Sequence, residues 1–113
     1  MRLTELQKEL VSIALAFVVL GATATAFAAD IITVVQRDRK FQTAAVTIPV
    51  GGSVRFTNED PFDHQLYSDS PDFSFSSDVQ PRGMILTVPF DMAGIFEVRC
   101  EIHPKMLVTV TVQ

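Results

Sequence analysis

The sequence predicts an all-β domain, either a sandwich or a small barrel, over most of its 113 residues. Helix signals are nearly absent after residue 30, where short runs rich in Val, Ile, Thr and Phe take over. Several of these runs alternate apolar and polar residues with a period of two, as half-buried strands do. Turn residues separate the runs at intervals of roughly 8–12 residues, which is typical of all-β folds.

The first half of the domain contains four predicted strands. Residues 31–36 (IITVVQ) are apolar and β-branched, which favours a strand. Residues 44–50 (AAVTIPV) resemble them, with Pro49 near the end, where a terminal or edge position tolerates it. Residues 53–58 (SVRFTN) alternate strictly, and 64–68 (HQLYS) follow a polar turn as the fourth strand.

The second half contains a predicted loop and three further strands. Residues 69–80 are rich in Ser, Asp and Pro, so we predict a long loop anchored by Phe73 and Phe75. The runs after it are apolar or alternate with a period of two. The three predicted strands are 84–90 (MILTVPF), 95–100 (IFEVRC) and 106–112 (MLVTVTV).

Residues 1–28 have the order of a secretory signal peptide: a basic start, an apolar run over 11–20 and small residues ending in AFA. We predict a signal-peptide helix, cleavage after Ala28, and a periplasmic or secreted domain over residues 29–113. The apolar run is shorter than the ~20 residues that a membrane-spanning helix needs. The mature form is therefore expected to have no membrane segment, and an uncleaved N-terminal anchor is the alternative.

Composition excludes several classes of protein. The net charge of −4 argues against nucleic acid as a partner, because phosphate binding needs a basic face. One cysteine and two histidines are too few for a CxxC redox site, a zinc ribbon or a multi-copper cluster. A lone cysteine cannot close an intrachain disulfide, so a bound metal is the remaining cross-link that could stabilise so small a domain.

The segment CEIHPKM between the last two predicted strands carries the chemistry. It places Cys100, His103 and Met106 at successive spacings of three, and His64 begins an earlier predicted strand. Thiolate and thioether favour copper(I), and imidazole serves both copper oxidation states. Two imidazoles and a thiolate in a plane, with a weak axial thioether, make a blue copper site.

Taken singly, each of these residues is more simply explained by packing. A lone Cys on an apolar strand face is usually a small buried hydrophobe, and a Met at a strand start usually fills space. The joint pattern is different, because one Cys with a His at +3 and a Met at +6 arises by chance on the order of once in a thousand. The pattern therefore predicts a metal site.

The mature part resembles the cupredoxins, the family of small blue copper proteins that includes plastocyanin, amicyanin and pseudoazurin. The resemblance is carried by 48–58 (IPVGGSVRFTN), 63–66 (DHQL) and 100–106 (CEIHPKM). The short ligand loop is similar to that of amicyanin-like members. The histidine and cysteine segments are also similar to those of methylamine-utilisation copper-domain proteins.

The resemblance implies a Greek-key β-sandwich with one type 1 copper ion. It implies His64, Cys100 and His103 as equatorial ligands, Met106 as the axial ligand, and His103 as the ligand whose ring edge reaches the surface. Family members usually have Asn after the first histidine, where this chain has Gln65. The resemblance therefore does not specify which hydrogen bonds tie the two ligand loops together in this chain.

The leading functional hypothesis is a one-electron carrier without catalysis. It would be a monomer that docks unidentified redox proteins near His103, through a small apolar patch around that residue. The alternative is a copper trafficking or storage module that uses the same ligands. A Cys–His nucleophilic enzyme is disfavoured, because it leaves Met106 unexplained. Arg37, Arg39 and Lys40 are interpreted as a solvated hairpin end, with a docking spot for an acidic partner as the alternative.

Overall fold

Nine strands and no helix make up residues 30–113, the part of the chain that this computed structural model describes. The predicted signal-peptide helix and its cleavage site lie outside the described residues. Within residues 30–113, no helix is available that could cross a membrane. The strands are β1 (Ile31–Arg37), β2 (Lys40–Phe41), β3 (Ala45–Ile48), β4 (Ser53–Asn58), β5 (Leu66–Ser70), β6 (Phe73–Ser76), β7 (Ile85–Pro89), β8 (Gly94–Cys100) and β9 (Leu107–Val112).

The strands form two mixed sheets, and the predicted Greek-key β-sandwich is confirmed. One sheet has the order β2-β1-β4-β7 and the other β3-β9-β8-β5-β6. The pairs β1–β4 and β3–β9 are parallel, because the chain crosses from one sheet to the other between them. The remaining pairs are antiparallel.

Alternating apolar residues explain the core between the sheets. On β4, Val54 and Phe56 are fully buried, whereas Arg55 between them faces outward. Strands β8 and β9 repeat this pattern, so every second side chain of each enters one continuous apolar cluster. Burial of this apolar surface is the main force that holds the two sheets together.

The prediction of a loop over 69–80 is wrong for part of its length. Strand β5 continues to Ser70, and β6 returns antiparallel to it across a two-residue turn. The Ser and Asp content disfavours a strand by propensity, but β6 is an edge strand, where polar side chains face water. The two predicted aromatic anchors do pack on the core, and Phe73 stacks on Phe90 with ring centroids 4.7 Å apart.

One end of the sandwich collects the segments that sequence analysis singled out. Because β4 and β8 end there and β5 and β9 begin there, the loops 59–65, 77–84 and 101–106 lie side by side. The tip of the β1–β2 hairpin reaches the same end, since β1 runs parallel to β4. We call this the ligand end of the sandwich.

Candidate metal centre

Three side chains from separate segments converge at the ligand end. Cys100 is the last residue of β8, His103 lies in the following loop, and His64 lies between β4 and β5, joined to Gln80 by an isolated antiparallel bridge. The two histidine Nδ1 atoms are 3.2 Å apart, and Cys100 Sγ lies 3.7 Å from Nδ1 of His64 and 3.9 Å from Nδ1 of His103. The structure therefore brings together three of the four predicted ligands, with one donor atom each.

The triangle formed by these three atoms has the size that a first-row metal ion requires. Ligand bonds to such an ion are about 2.0 Å from imidazole nitrogen and about 2.3 Å from thiolate sulfur. The three atoms are close enough to one another for a single ion to reach all of them at those distances. The donor atoms are thus set for a trigonal site, and with a soft thiolate among them they fit copper.

Met106, the fourth predicted ligand, closes the loop that carries His103. Its side chain is buried, and its amide donates to the His103 carbonyl at 3.0 Å. The loop from Cys100 to Met106 thus carries three candidate ligands at the end of the β8–β9 hairpin. The four side chains have the composition of a type 1 copper site, and three of them have its trigonal arrangement.

Asp60 holds the ring of His64 in the orientation that a metal ligand needs. Its Oδ2 lies 2.8 Å from Nε2 of His64, and both side chains are buried. A carboxylate accepts the N–H of Nε2, which leaves the lone pair of Nδ1 free to face Cys100 and His103. Such an outer carboxylate fixes the tautomer of a ligand histidine and raises its basicity.

The same carboxylate anchors the tip of the β1–β2 hairpin. Asp38 and Arg39 both have positive φ, at 57° and 56°, as a two-residue type I′ turn requires. Neither is glycine, so the turn is strained. Their amides donate to Asp60 at 2.6 and 3.0 Å, which offsets the strain and ties the hairpin tip to the histidine.

Gln65 joins the two ligand loops through its backbone. Its amide points at Cys100 Sγ from 3.5 Å, and its carbonyl accepts the Glu101 amide at 2.8 Å. The side chain instead donates to the Ser77 carbonyl at 3.1 Å. The hydrogen bond to sulfur and the link between the loops are therefore backbone interactions, which a Gln at this position supplies as well as an Asn.

A buried amide network supports the His64 loop from behind. The Asn58 side chain donates to the carbonyls of Phe62 and Gln80, both at 2.9 Å. Gln80 exchanges backbone hydrogen bonds with His64, and its side chain accepts from Gln36 at 2.8 Å. Since all of these amides are buried, the network fixes the loop against β1 and β4.

His103 is the ligand that approaches the surface. Its side chain is half-buried, whereas His64 is fully buried. The exposed ring of Phe62 meets the His103 ring edge-on, with centroids 6.2 Å apart. Burial, together with the charges of His64 and Arg39, lowers the pKa of His103 below its ordinary value of 6.5. A lowered pKa keeps the ring neutral and ready for a metal near pH 7.

Asp60 also titrates abnormally. Burial alone would raise the pKa of its carboxyl, but hydrogen bonds from the Arg39 amide, the His64 ring and the Asp38 amide together lower it below 3.8. Both groups therefore have folded-state pKa values below their unfolded values. Each contributes stability that is present above the unfolded pKa and is lost as the pH falls.

We expect the copper-free protein to lose stability in two steps on acidification. The first step begins below pH 6.5, because the unfolded chain then protonates His103 more readily than the folded protein does. The second begins below pH 3.8, where the same holds for the carboxylate of Asp60. Urea midpoints measured from pH 7 to pH 3 check this. The His103→Asn variant should lack the first step, and an unchanged profile in that variant would contradict the assignment.

Asp60 and Gln80 are not among the site residues predicted from the sequence. Asp60 lies in the polar turn before the fourth predicted strand. A carboxylate four residues before a candidate ligand histidine could have indicated a hydrogen-bond acceptor for that histidine. Gln80 lay in the segment interpreted as a loop, and nothing local distinguishes it. Its role depends on contacts with residues 16 and more positions away along the chain.

Comparison with known proteins agrees with this architecture. The sequence matches the family model of the cupredoxin-like domain over residues 10–112. A search of curated proteins finds no match.

Solved structures of copper proteins are similar in fold. A reduced amicyanin variant has a TM-score of 0.69 and 22% identity, covering 81% of this chain and 89% of amicyanin. A purple cupredoxin from Nitrosopumilus maritimus has a TM-score of 0.64 and 22% identity over 72% of this chain and 98% of its own. A copper-containing nitrite reductase from Thermus scotoductus has a TM-score of 0.68 and 26% identity, over 80% of this chain and 24% of the reductase.

Proposed function

The chain belongs to the cupredoxin-like domain family, and from this premise we propose that it is a blue copper protein that carries single electrons between exported redox partners. The ligands in this proposal are His64, Cys100 and His103 in the plane and Met106 on the axis. The observation that carries it is the triangle of two imidazole nitrogens and one sulfur with sides of 3.2, 3.7 and 3.9 Å. Bound copper would supply a one-electron couple, and this donor set serves both of its oxidation states.

Preformed ligand positions support electron transfer. Asp60 holds the His64 ring, the Gln65 amide faces the thiolate, and the Cys100 side chain is only 1% exposed. These contacts lie within the protein itself and would hold the donor atoms in place in either oxidation state. A rigid site needs little rearrangement when an electron arrives or leaves, which lowers the barrier to transfer.

The electron would enter and leave through His103. This ring is the ligand closest to solvent, and exposed Phe62 and Ile102 flank it, at 46% and 45% exposure. Exposed apolar side chains grouped around a ligand are what a transient protein–protein contact uses. We propose that redox partners dock at this surface on a monomer.

We propose no catalytic activity for this chain. The four candidate donors are two imidazole nitrogens, a cysteine sulfur and a thioether, and an ion held by all four would have no vacant position for a substrate. The similarity to nitrite reductase covers only 24% of that enzyme, so it corresponds to one portion of a larger chain. The reductase activity is therefore not carried over.

Export is the second part of the proposal. The basic, apolar and small-residue order of residues 1–28 supports cleavage after Ala28 and a periplasmic or secreted domain from residue 29 onward. Expression of the full sequence in a bacterial host, followed by mass spectrometry of the periplasmic fraction, tests it. A mature chain beginning at Ala29 is expected, and a product that retains residue 1 in the membrane fraction would favour the uncleaved anchor.

Titration with copper(II) is the direct test of the electron-carrier proposal. One equivalent should produce an intense visible band from the copper–thiolate bond, and ascorbate should bleach it reversibly. The zinc(II)-loaded protein is the matched control and should remain colourless, because zinc has no accessible redox change.

A colourless copper(II) complex would overturn the proposal. A protein that binds copper(I) but has no stable oxidised form would instead support the trafficking or storage function. The reduction potential and the electron self-exchange rate of the loaded protein separate these two outcomes.

A further inference from the structure

A groove lined by cations runs beside His103. One concavity of about 400 Å³ is lined by Arg39, Lys105 and the loop residues Ile102 to Pro104. A second, of about 320 Å³, shares Arg39 and Lys105 and adds Lys40. We call this surface, made by Arg39, Lys40 and residues 102–105, the basic groove.

The basic groove has the opposite sign to the protein as a whole. The chain carries a net charge of −4, yet three cations and no carboxylate line the two concavities. None of the three cations forms a salt bridge with another residue between positions 30 and 113. Arg37 differs in this respect, because it pairs with Glu59. The charge of the groove is therefore available to a partner.

Arg39 is held in place within the groove. Its backbone amide donates to Asp60, and its guanidinium lies over the Phe62 ring at 5.1 Å from the centroid. That ring in turn contacts His103. A cation that is already ordered loses less conformational entropy when a partner binds.

We infer that the basic groove docks an acidic redox protein, one whose electron-exchange site is bordered by Asp and Glu side chains. The inference rests on the proposed function and specifies its partner. Exposed Ile102 and Phe62 beside the cations call for a partner with apolar surface as well as negative charge, which a protein offers. A second copy of this chain that docked through the same face would present the same three cations to the groove, and like charges repel.

The exposed carboxylates nearest in sequence to the ligands lie outside the lining of the groove. Asp63 and Glu101 are exposed at the ligand end but line neither concavity. Arg39, Lys40 and Lys105 attract an acidic partner at the groove itself. The groove thus steers the partner toward the edge of His103.

The test is the reduction of the copper(II)-loaded protein by two reductants of opposite charge, followed by stopped flow. Ferrocytochrome b5 is the acidic protein and hexaammineruthenium(II) the cationic complex. Wild-type reduction by the cytochrome should slow as salt is added, because screening removes the attraction. Lys105→Glu and Arg39→Glu should each slow that reaction by about fivefold at low salt and quicken reduction by the ruthenium complex.

Arg55→Glu is the matched control. It makes the same change of charge on the outward face of β4, between Thr33 and Thr87 of the neighbouring strands. It should alter either rate by less than about twofold. A shift in the reduction potential of the copper site would change the rates with both reductants in the same direction. The ratio of the cytochrome rate to the ruthenium rate therefore reports the effect of charge alone.

The outcomes separate the two proposals. Equal slowing by Arg55→Glu and Lys105→Glu would show an effect of total charge and overturn the docking site. A cytochrome rate that rises with salt, or a wild-type dimer that Lys105→Glu dissolves, would also overturn it. Absence of the visible band, or no reduction by the ruthenium complex, would overturn the electron-carrier proposal instead.

Discussion

Replacement of Cys100 by Ser is expected to abolish the visible absorption of the copper(II)-loaded protein while the sandwich stays folded. The band requires a thiolate bonded to the metal, and a serine hydroxyl stays protonated near pH 7. Cys100 is buried and faces both histidines, and Ser is nearly its equal in volume. The absorption spectrum after addition of one equivalent of copper(II) checks the loss, and circular dichroism checks the fold.

Val98→Thr is the matched control for this prediction. Val98 is fully buried two residues earlier on the same face of β8, so the change adds a hydroxyl to the core without removing a ligand. Its stability should fall by about 1–2 kcal/mol, because the hydroxyl is buried without an assured partner. Its colour should remain. A Cys100→Ser protein with the wild-type band would contradict the assignment of the thiolate.

Replacement of Asp60 by Ala should weaken copper binding by about 10–100-fold, the usual cost of removing a group that orients a ligand histidine. The His64 ring would lose the partner that selects its tautomer. The amides of Asp38 and Arg39 would lose their acceptor as well. We therefore expect the copper-free variant to be less stable by about 2 kcal/mol, since water can reach the exposed hairpin tip but not the buried ring.

Competition with a copper chelator measures the affinity, and urea unfolding measures the stability. Asp63→Ala is the matched control, because it removes the same charge from an exposed position adjacent to His64. It should change stability by less than about 0.5 kcal/mol. Asp60→Asn keeps an acceptor for the His64 ring, so its copper affinity and stability should lie between those of Asp60→Ala and Asp63→Ala. Wild-type affinity in Asp60→Ala would mean that Asp60 does not position the ring.

Prediction from the sequence succeeded where the pattern was local. The alternation over 53–58, 95–100 and 106–112 predicted β4, β8 and β9 nearly to the residue. It failed over 69–80, where Ser and Asp outweighed the two phenylalanines. β6 is a strand because it pairs with β5. The amino-acid composition of 73–76 does not predict that pairing.

The candidate ligands could also be chosen from the sequence, because the softness of a ligand depends on residue type and three of the four lie within seven consecutive residues. The structure brings His64, Cys100 and His103 together. His64 was foreseeable only as the remaining histidine. His64 and Cys100 are 36 positions apart in the chain, and the 3.7 Å between His64 Nδ1 and Cys100 Sγ follows from the pairing of β5 with β8, which places Leu66 opposite Cys100. Local spacing cannot encode that distance.

Residue identity along the chain was enough for the class of fold and for the chemistry of the metal, because both depend on side-chain type and short-range periodicity. The acceptor behind His64, the amide network around Gln80 and the basic groove were decided by the packing of loops from both sheets. Arg39 and Lys105 are 66 residues apart and share one concavity only because β2 and β9 both begin at the ligand end of the sandwich. Hydrogen bonds and electrostatic attraction depend on distance in space, and folding sets that distance.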